Sequence, residues 1–210
     1  MVAVLAKVLQ EDPPQLRELR PDVPLQLEAL VMRMLCSQGN IDAAVRIPLD
    51  QLQANPADVP ALEQLASILS DIGDAGRLEP VVQRLIKEAP KNTWSHYYAA
   101  SLFFIQGRLD MALQAARNAV AIDPSNAKAH NLIGASLAST GQTDAARTAF
   151  ETSIKADPRE AGTYANLATL ELQSANRDRA KRYFAEALTI DPNNQAARDG
   201  LATLTSNSTR

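Results

Sequence analysis

Residues 100–126 read ASLFFIQGRLDMALQAARNAVAIDPSN. Apolar and small side chains recur at three- and four-residue steps on both sides of Gly107, the spacing of one face of an α-helix. Gly107 suits the left-handed backbone of a helix stop. Asp110 follows it as an N-cap or first-turn acid that complements the exposed N–H groups of the next helix. Pro124 closes that helix, because it has no N–H to donate. The stretch therefore predicts two short amphipathic helices joined by a tight turn. The same pattern returns at 133–158, IGASLASTGQTDAARTAFETSIKADP, and at 164–194, YANLATLELQSANRDRAKRYFAEALTIDPNN.

Working outward, Pro56, Pro90, Pro124, Pro158 and Pro192 stand 34 residues apart. Three more columns run in phase with them. One is Gly39, Gly73, Gly107, Gly141 and Ala175; one is Met32, Ala66, Ala100, Gly134 and Ala168; one is Ala44, Leu78, Ala112, Ala146 and Ala180. They define five windows, 25–58, 59–92, 93–126, 127–160 and 161–194, and exclude a random run of alanine-rich helices. Small residues belong where two helices cross closely. Larger ones such as Phe150 and Phe184 then fill the space between hairpins. One hairpin cannot bury its apolar face alone, so the hairpins must stack.

Composition agrees. The chain has 210 residues, and its 21 Lys and Arg against 24 Asp and Glu argue against a general nucleic-acid binder, which would carry a basic excess. Aromatics are only 4%, a mix that favours helix over strand. The single cysteine, Cys36, excludes an intrachain disulfide and a multi-Cys zinc site, and fits a cytoplasmic protein. No stretch approaches the length of a membrane span. The opening MVAVLAKVLQ lacks a small-residue cleavage pattern and does not read as a signal peptide.

On these motifs the chain resembles the tetratricopeptide repeat family over residues 25–194. The resemblance implies an all-α, right-handed α-solenoid of antiparallel helix hairpins. Residues 1–24, broken at Pro13-Pro14 and Pro21, are expected to be a helical extension or partial repeat. Residues 195–204 are expected to form a capping helix, with Leu201 and Leu204 inward, and 205–210 a disordered tail. The first two windows depart from the family. Pro48 should kink the second helix of window one, and Pro80 should delay or bend that of window two. Gln51 and Leu85 replace the small residue found at Ala119, Ser153 and Ala187.

In the family the first helices line a concave groove that binds a segment of a partner. The resemblance places that lining here on four columns. They are Gln26, Pro60, Trp94, Lys128 and Gly162; Ala29, Glu63, Tyr97, Asn131 and Ala165; Arg33, Ser67, Ser101, Ala135 and Thr169; Cys36, Ser70, Phe104, Ala138 and Leu172. Trp94, Tyr97, Ser101 and Phe104 share one helix face, and aromatics dominate interface energetics. The expected function is a non-catalytic scaffold that holds a partner peptide there, an apolar or aromatic side chain in the groove and Lys128 and Asn131 reading its backbone or an acid. Arg33, Glu63, Ala135 and Thr169 complete the expected site. A self-association module, with a second copy as partner, and the repeat segment of a larger enzyme are the alternatives.

No cofactor, metal or catalytic residue is expected. His96 and His130 fall in one column with Leu62 and Tyr164, read as half-buried packing positions. Their separation, about a helix diameter or roughly 10 Å, is too large for a shared metal. Cys36 has no nearby base, and no phosphate loop or nucleophile motif appears. Arg177, Arg179, Lys181 and Arg182 read as a solvated face. The family's chaperone-tail clamp needs Lys in the column Ala29, Glu63, Tyr97, Asn131, Ala165 and Asn in the column Arg33, Ser67, Ser101, Ala135, Thr169. Neither is supplied, although Lys128 and Asn166 match single clamp positions in isolation. A carboxylate-clamp partner is therefore not expected.

Overall fold

A computed structural model of the chain describes residues 41–206. Ten helices and no strand occur among the described residues. The chain divides into two compact units, Met1–Pro90 and Lys91–Arg210.

In the first unit α1 spans Ile41–Ala54, α2 Val59–Asp71 and α3 Ala75–Glu88. Helix α2 packs against both neighbours. Pro48 is buried inside α1, and the helix continues through it. Helix α3 does not start late: Arg77 N–H donates to the Asp74 Oδ1 cap at 3.0 Å, and Pro80 sits in the second turn. The cap and the preceding Gly73 turn fix the start before Pro80 can act. Leu78, Val82 and Leu85 then face inward.

The second unit holds α4 (Thr93–Ile105), α5 (Leu109–Ile122), α6 (Ala127–Ser139), α7 (Thr143–Ala156), α8 (Ala161–Gln173), α9 (Arg177–Ile190) and α10 (Gln195–Ser206). The pairs α4–α5, α6–α7 and α8–α9 are hairpins, and each second helix packs on the next first helix. First helices start at Thr93, Ala127, Ala161 and Gln195, second helices at Leu109, Thr143 and Arg177, each 34 residues after the last.

The turn column has a uniform geometry. Gly73, Gly107 and Gly141 have φ of 71°, 72° and 76°, and Ala175 has 61°. Before three of the four first helices of the second unit an asparagine acts as cap: Asn92, Asn126 and Asn194 accept from the N–H of Trp94, Ala129 and Ala197 at 2.9–3.0 Å, whereas Glu160 before α8 makes no such bond. Asp110, Asp144 and Asp178 lie in the first turns of the second helices, not at the caps.

Ala100, Ala112, Ala146, Ala168 and Ala180 are fully buried, as close crossing requires. Gly134 faces the Phe150 ring so closely that a Cβ there would stand 2.5 Å from Phe150 Cδ1, and a Cβ at Gly200 of α10 would collide with the Phe184 ring. Buried polar groups tie the hairpins further. Asn126 Nδ2 donates to Thr93 Oγ1 (3.0 Å), which donates to the Ala119 carbonyl (3.0 Å). One window on, Ser153 Oγ donates to the Ala127 carbonyl (2.8 Å) and pairs with Thr163 Oγ1 (2.9 Å).

In α10, Ala197 and Leu204 are buried, and Arg198 and Asp199 face water. The helix runs two residues past the expected end: Thr205 is helical, its hydroxyl donating to the Leu201 carbonyl at 3.1 Å. The extension 1–24, the first helix of window one and residues 207–210 lie outside the described residues.

Candidate functional site: the wall of first helices

Helices α4, α6 and α8 are neighbours and form one wall of the second unit. Their sequences are nearly free of charge. Lys128 and Glu171 are the only Asp, Glu, Lys or Arg in all three, and Glu171 is 1% exposed. The second helices are charged: Asp110 and Arg117 on α5, four charges on α7 and six on α9. Lys128 is thus the one exposed charge on these three helices, and it forms no ion pair among the described residues.

At the start of the wall three rings interlock. Trp94 meets Tyr97 edge-on, with centroids 5.5 Å apart and planes at 89°. Tyr97 meets Tyr98 at 5.1 Å and 64°. Tyr98 is buried, while Trp94 and Tyr97 are half-buried and keep part of their faces accessible. Ring pairs of this kind add about 0.5–1.5 kcal/mol beyond burial, so the cluster holds its shape. Ser101, expected on the same face, is buried and offers little surface.

Further along, Phe104, Ala135 and Thr169 come together. With Ala138, Asn166 and Gln173 they line a hollow of about 200 Å³, floored by Phe150 and Leu170. The small side chains of Ala135 and Ala138 on α6 open it, and the larger residues of α4 and α8 stand at its sides. Asn131 Oδ1 accepts from Asn166 Nδ2 at 2.9 Å, linking α6 to α8 at the upper rim. Glu63 lies half-buried on α2 in the first unit, and Arg33 lies outside the described residues. Asn166 and Gln173 were missing from the expected lining. They are seven residues apart on one face of α8, beside the column that holds Thr169. Asn166 carried a signal, because it matches a clamp position in isolation.

The histidine column has a local task. His130 Nε2 donates to the Pro124 carbonyl (2.9 Å), the Tyr164 hydroxyl to the Pro158 carbonyl (3.3 Å) and Arg198 Nε to the Pro192 carbonyl (2.9 Å). A donor at this repeat position thus satisfies the turn carbonyl six residues back. Among the described residues no group of His, Cys, Asp and Glu is arranged to hold a metal ion. Of the basic cluster, Arg177 donates to the Leu204 carbonyl at 3.1 Å and so ties α9 to α10.

The buried carboxylate of Glu171 is fully engaged. Arg147 Nε donates to Oε1 at 2.7 Å and Asn176 Nδ2 to Oε2 at 2.6 Å. Burial pushes this carboxyl up, but the hydrogen bonds from Arg147 and Asn176 and the Arg147 charge outweigh it and hold it below its ordinary value. With both oxygens occupied and no open space beside them, Glu171 is part of the stack, not a proton donor to a ligand.

Comparison with known proteins follows this geometry. Residues 100–141 match the family model described as TPR repeat, and residues 127–160 and 161–194 each match that of the tetratricopeptide repeat. No curated protein sequence matches the chain. Among solved structures, TTC0263, a thermophilic TPR protein of Thermus thermophilus, is 22% identical with a TM-score of 0.74, over 87% of this chain and 99% of that one. MamA from Desulfovibrio magneticus RS-1 is 19% identical with a TM-score of 0.54, over 81% and 97%. YrrB, a TPR protein with an unusual peptide-binding site, is 17% identical with a TM-score of 0.52, over 83% and 90%.

Residues 100–194 are therefore tetratricopeptide repeats, and the described residues fold as all-α helix hairpins of the kind seen in solved TPR proteins. Such repeats are protein–protein interaction scaffolds. No helix among the described residues is long and apolar enough to cross a membrane.

Proposed function

We propose that this chain is a non-catalytic scaffold that holds a peptide segment of a partner protein along the wall of α4, α6 and α8, anchored at the aromatic face of α4. The observation that carries the reading is the Trp94–Tyr97 pair, braced from behind by buried Tyr98 and half-open on the outside. Large rigid rings held in place before binding lose little entropy on contact, the usual property of an interface hot spot. Lys128 and Asn131 stand on the neighbouring helix, where they read a carboxylate or the main chain of the bound segment. The likeness to YrrB, whose peptide-binding site is called unusual, is in keeping with a TPR peptide site other than the carboxylate clamp.

A peptide array probed with the wild type, Trp94→Ala and Tyr97→Ala tests this. Each substitution is expected to weaken bound peptides by at least about tenfold, a loss of about 1.4 kcal/mol. Equal binding by all three proteins, with unchanged helical circular dichroism, removes the reading. A second copy of the chain is the other partner we consider, and a concentration-independent monomer in sedimentation would exclude it. We place the chain in the cytoplasm, which its lone cysteine suits, and localisation of a tagged full-length protein checks that.

A further inference from the structure

The separation of charge between the two sets of helices says what kind of partner the wall accepts. A solvated surface ordinarily carries both signs of charge, and the second helices do. The three first helices instead present apolar, small and neutral polar side chains, with Lys128 as their one exposed charge. Burying them against a partner removes almost no ionic hydration, and on α4, α6 and α8 a charged partner residue finds no counter-charge except at Lys128.

The hollow sets the shape of the occupant. Its volume is about 200 Å³. For scale, a closed apolar cavity of about 150 Å³ accepts a benzene ring. Phe104, Ala135 and Ala138 make its apolar surface, and Thr169 and Gln173 its neutral rim. Beside it the Asn131–Asn166 bond uses one amide oxygen and one amide nitrogen, so Asn131 Nδ2 and Asn166 Oδ1 bond nothing else among the described residues. A donor and an acceptor side by side complement the C=O and N–H of an extended peptide.

We infer that the segment bound on this wall is uncharged except for at most one carboxylate, and that it inserts a leucine- to phenylalanine-sized side chain into the hollow between α4, α6 and α8 while the Asn131–Asn166 pair bonds its backbone. This rests on the proposed peptide-binding role of the wall and adds the chemistry of the ligand and a second anchor beyond Trp94 and Tyr97. One exposed Lys–carboxylate pair contributes at most about fivefold to affinity. Binding is therefore nearly independent of salt, unlike that of a charge-lined groove.

The test selects binders from a phage-displayed random peptide library and measures the resulting peptides against the wild type, Thr169→Trp, Ala138→Leu, Lys128→Ala and Trp94→Ala. Thr169 is exposed, so the indole is added at the rim without disturbing the core. The expected peptides share an apolar residue and lack charge clusters. Their affinity changes less than about fivefold between about 0.1 M and about 1 M salt, where the Debye length falls from about 10 Å to about 3 Å. Thr169→Trp and Ala138→Leu each cost at least tenfold with melting temperature unchanged, and Lys128→Ala costs about fivefold or less. Binders rich in charge, or weakened far more than fivefold by salt, overturn the inference and leave the wall reading intact. Binders lost with Trp94→Ala but indifferent to both hollow-filling variants also overturn it. A library that yields no binder to the folded protein overturns both.

Discussion

One step of the repeat is made twice in the second unit, in two chemistries. Leu113 on α5 packs with the apolar cluster that holds Leu137 on α6. The residues 34 positions on are Arg147 on α7 and Glu171 on α8, which form an ion pair of 2.7 Å whose carboxylate is buried and bonded also by Asn176, while the half-buried guanidinium is shared with Asp144. The helices flanking both junctions keep the same 34-residue register. Stacking therefore does not require an apolar pair at this step. It requires that the space be filled and that every polar atom placed there be satisfied.

The two junctions should respond differently to damage, and the largest effect lies at the ionic one. Arg147→Met leaves Glu171 buried with one hydrogen bond in place of an ion pair. We expect a loss of about 3–5 kcal/mol in urea unfolding. The double variant Arg147→Leu with Glu171→Leu copies the neighbouring junction and should be neutral or more stable than the wild type. If the double variant is as damaged as the single one, the two chemistries are not interchangeable and the comparison fails.

Acid sharpens the same contrast. The folded Glu171 carboxyl lies below its ordinary value, so its contribution is fully present above the unfolded value of about pH 4.3. It is lost as the pH falls through the folded value. Hydrogen exchange should then show α8 loosening in acid before α6 does, and the double leucine variant should abolish the difference. Equal protection of both helices throughout the titration would count against it.

The next effect, about 1–3 kcal/mol, separates two glycines of one hairpin. Gly134→Ala drives a methyl into the Phe150 ring, which is itself fully buried and has nowhere to move. Gly141→Ala meets nothing within 4 Å, and its cost is backbone strain alone. Shortening the ring by Phe150→Leu should rescue Gly134→Ala and leave Gly141→Ala untouched. Rescue of both, or of neither, would show that the two sites were misassigned.

These glycines also show how far the sequence could be read. The turn column and the small-residue column were visible because backbone handedness and close crossing restrict the residue type itself, and such restrictions repeat with the fold. The ion pair was invisible, since Arg147 and Glu171 looked like two solvated charges at ordinary helical spacing. Only the stacking of α7 on α8 brings them together, 24 residues apart in the chain. The same reason explains Ser101, Asn166 and Gln173 on the wall. A periodic column fixes which helix face a residue occupies to within one step. Which edge of that face is covered depends on the neighbouring helix, and Ser101 lies on the covered side while Asn166 and Gln173 do not. The late start expected from Pro80 is the one part of that expectation the structure overturns, because the Asp74 cap sets where the helix begins.

The smallest effect tests the turn column at its one exception. Ala175 has the left-handed backbone that three glycines adopt at the same step, with φ of 61°. A residue with a Cβ costs about 1–2 kcal/mol in that conformation. Replacing it with glycine removes the strain but loosens the unfolded chain, which returns about 0.5–1 kcal/mol. Ala175→Gly should therefore stabilise the protein by up to about 1 kcal/mol, read as a small rise in melting temperature. Gly141→Ala should fall by a similar amount, because it makes the reverse exchange one hairpin earlier. A destabilised Ala175→Gly would mean that the alanine methyl makes a contact that outweighs the strain, and that the last turn is built on different terms from the other three.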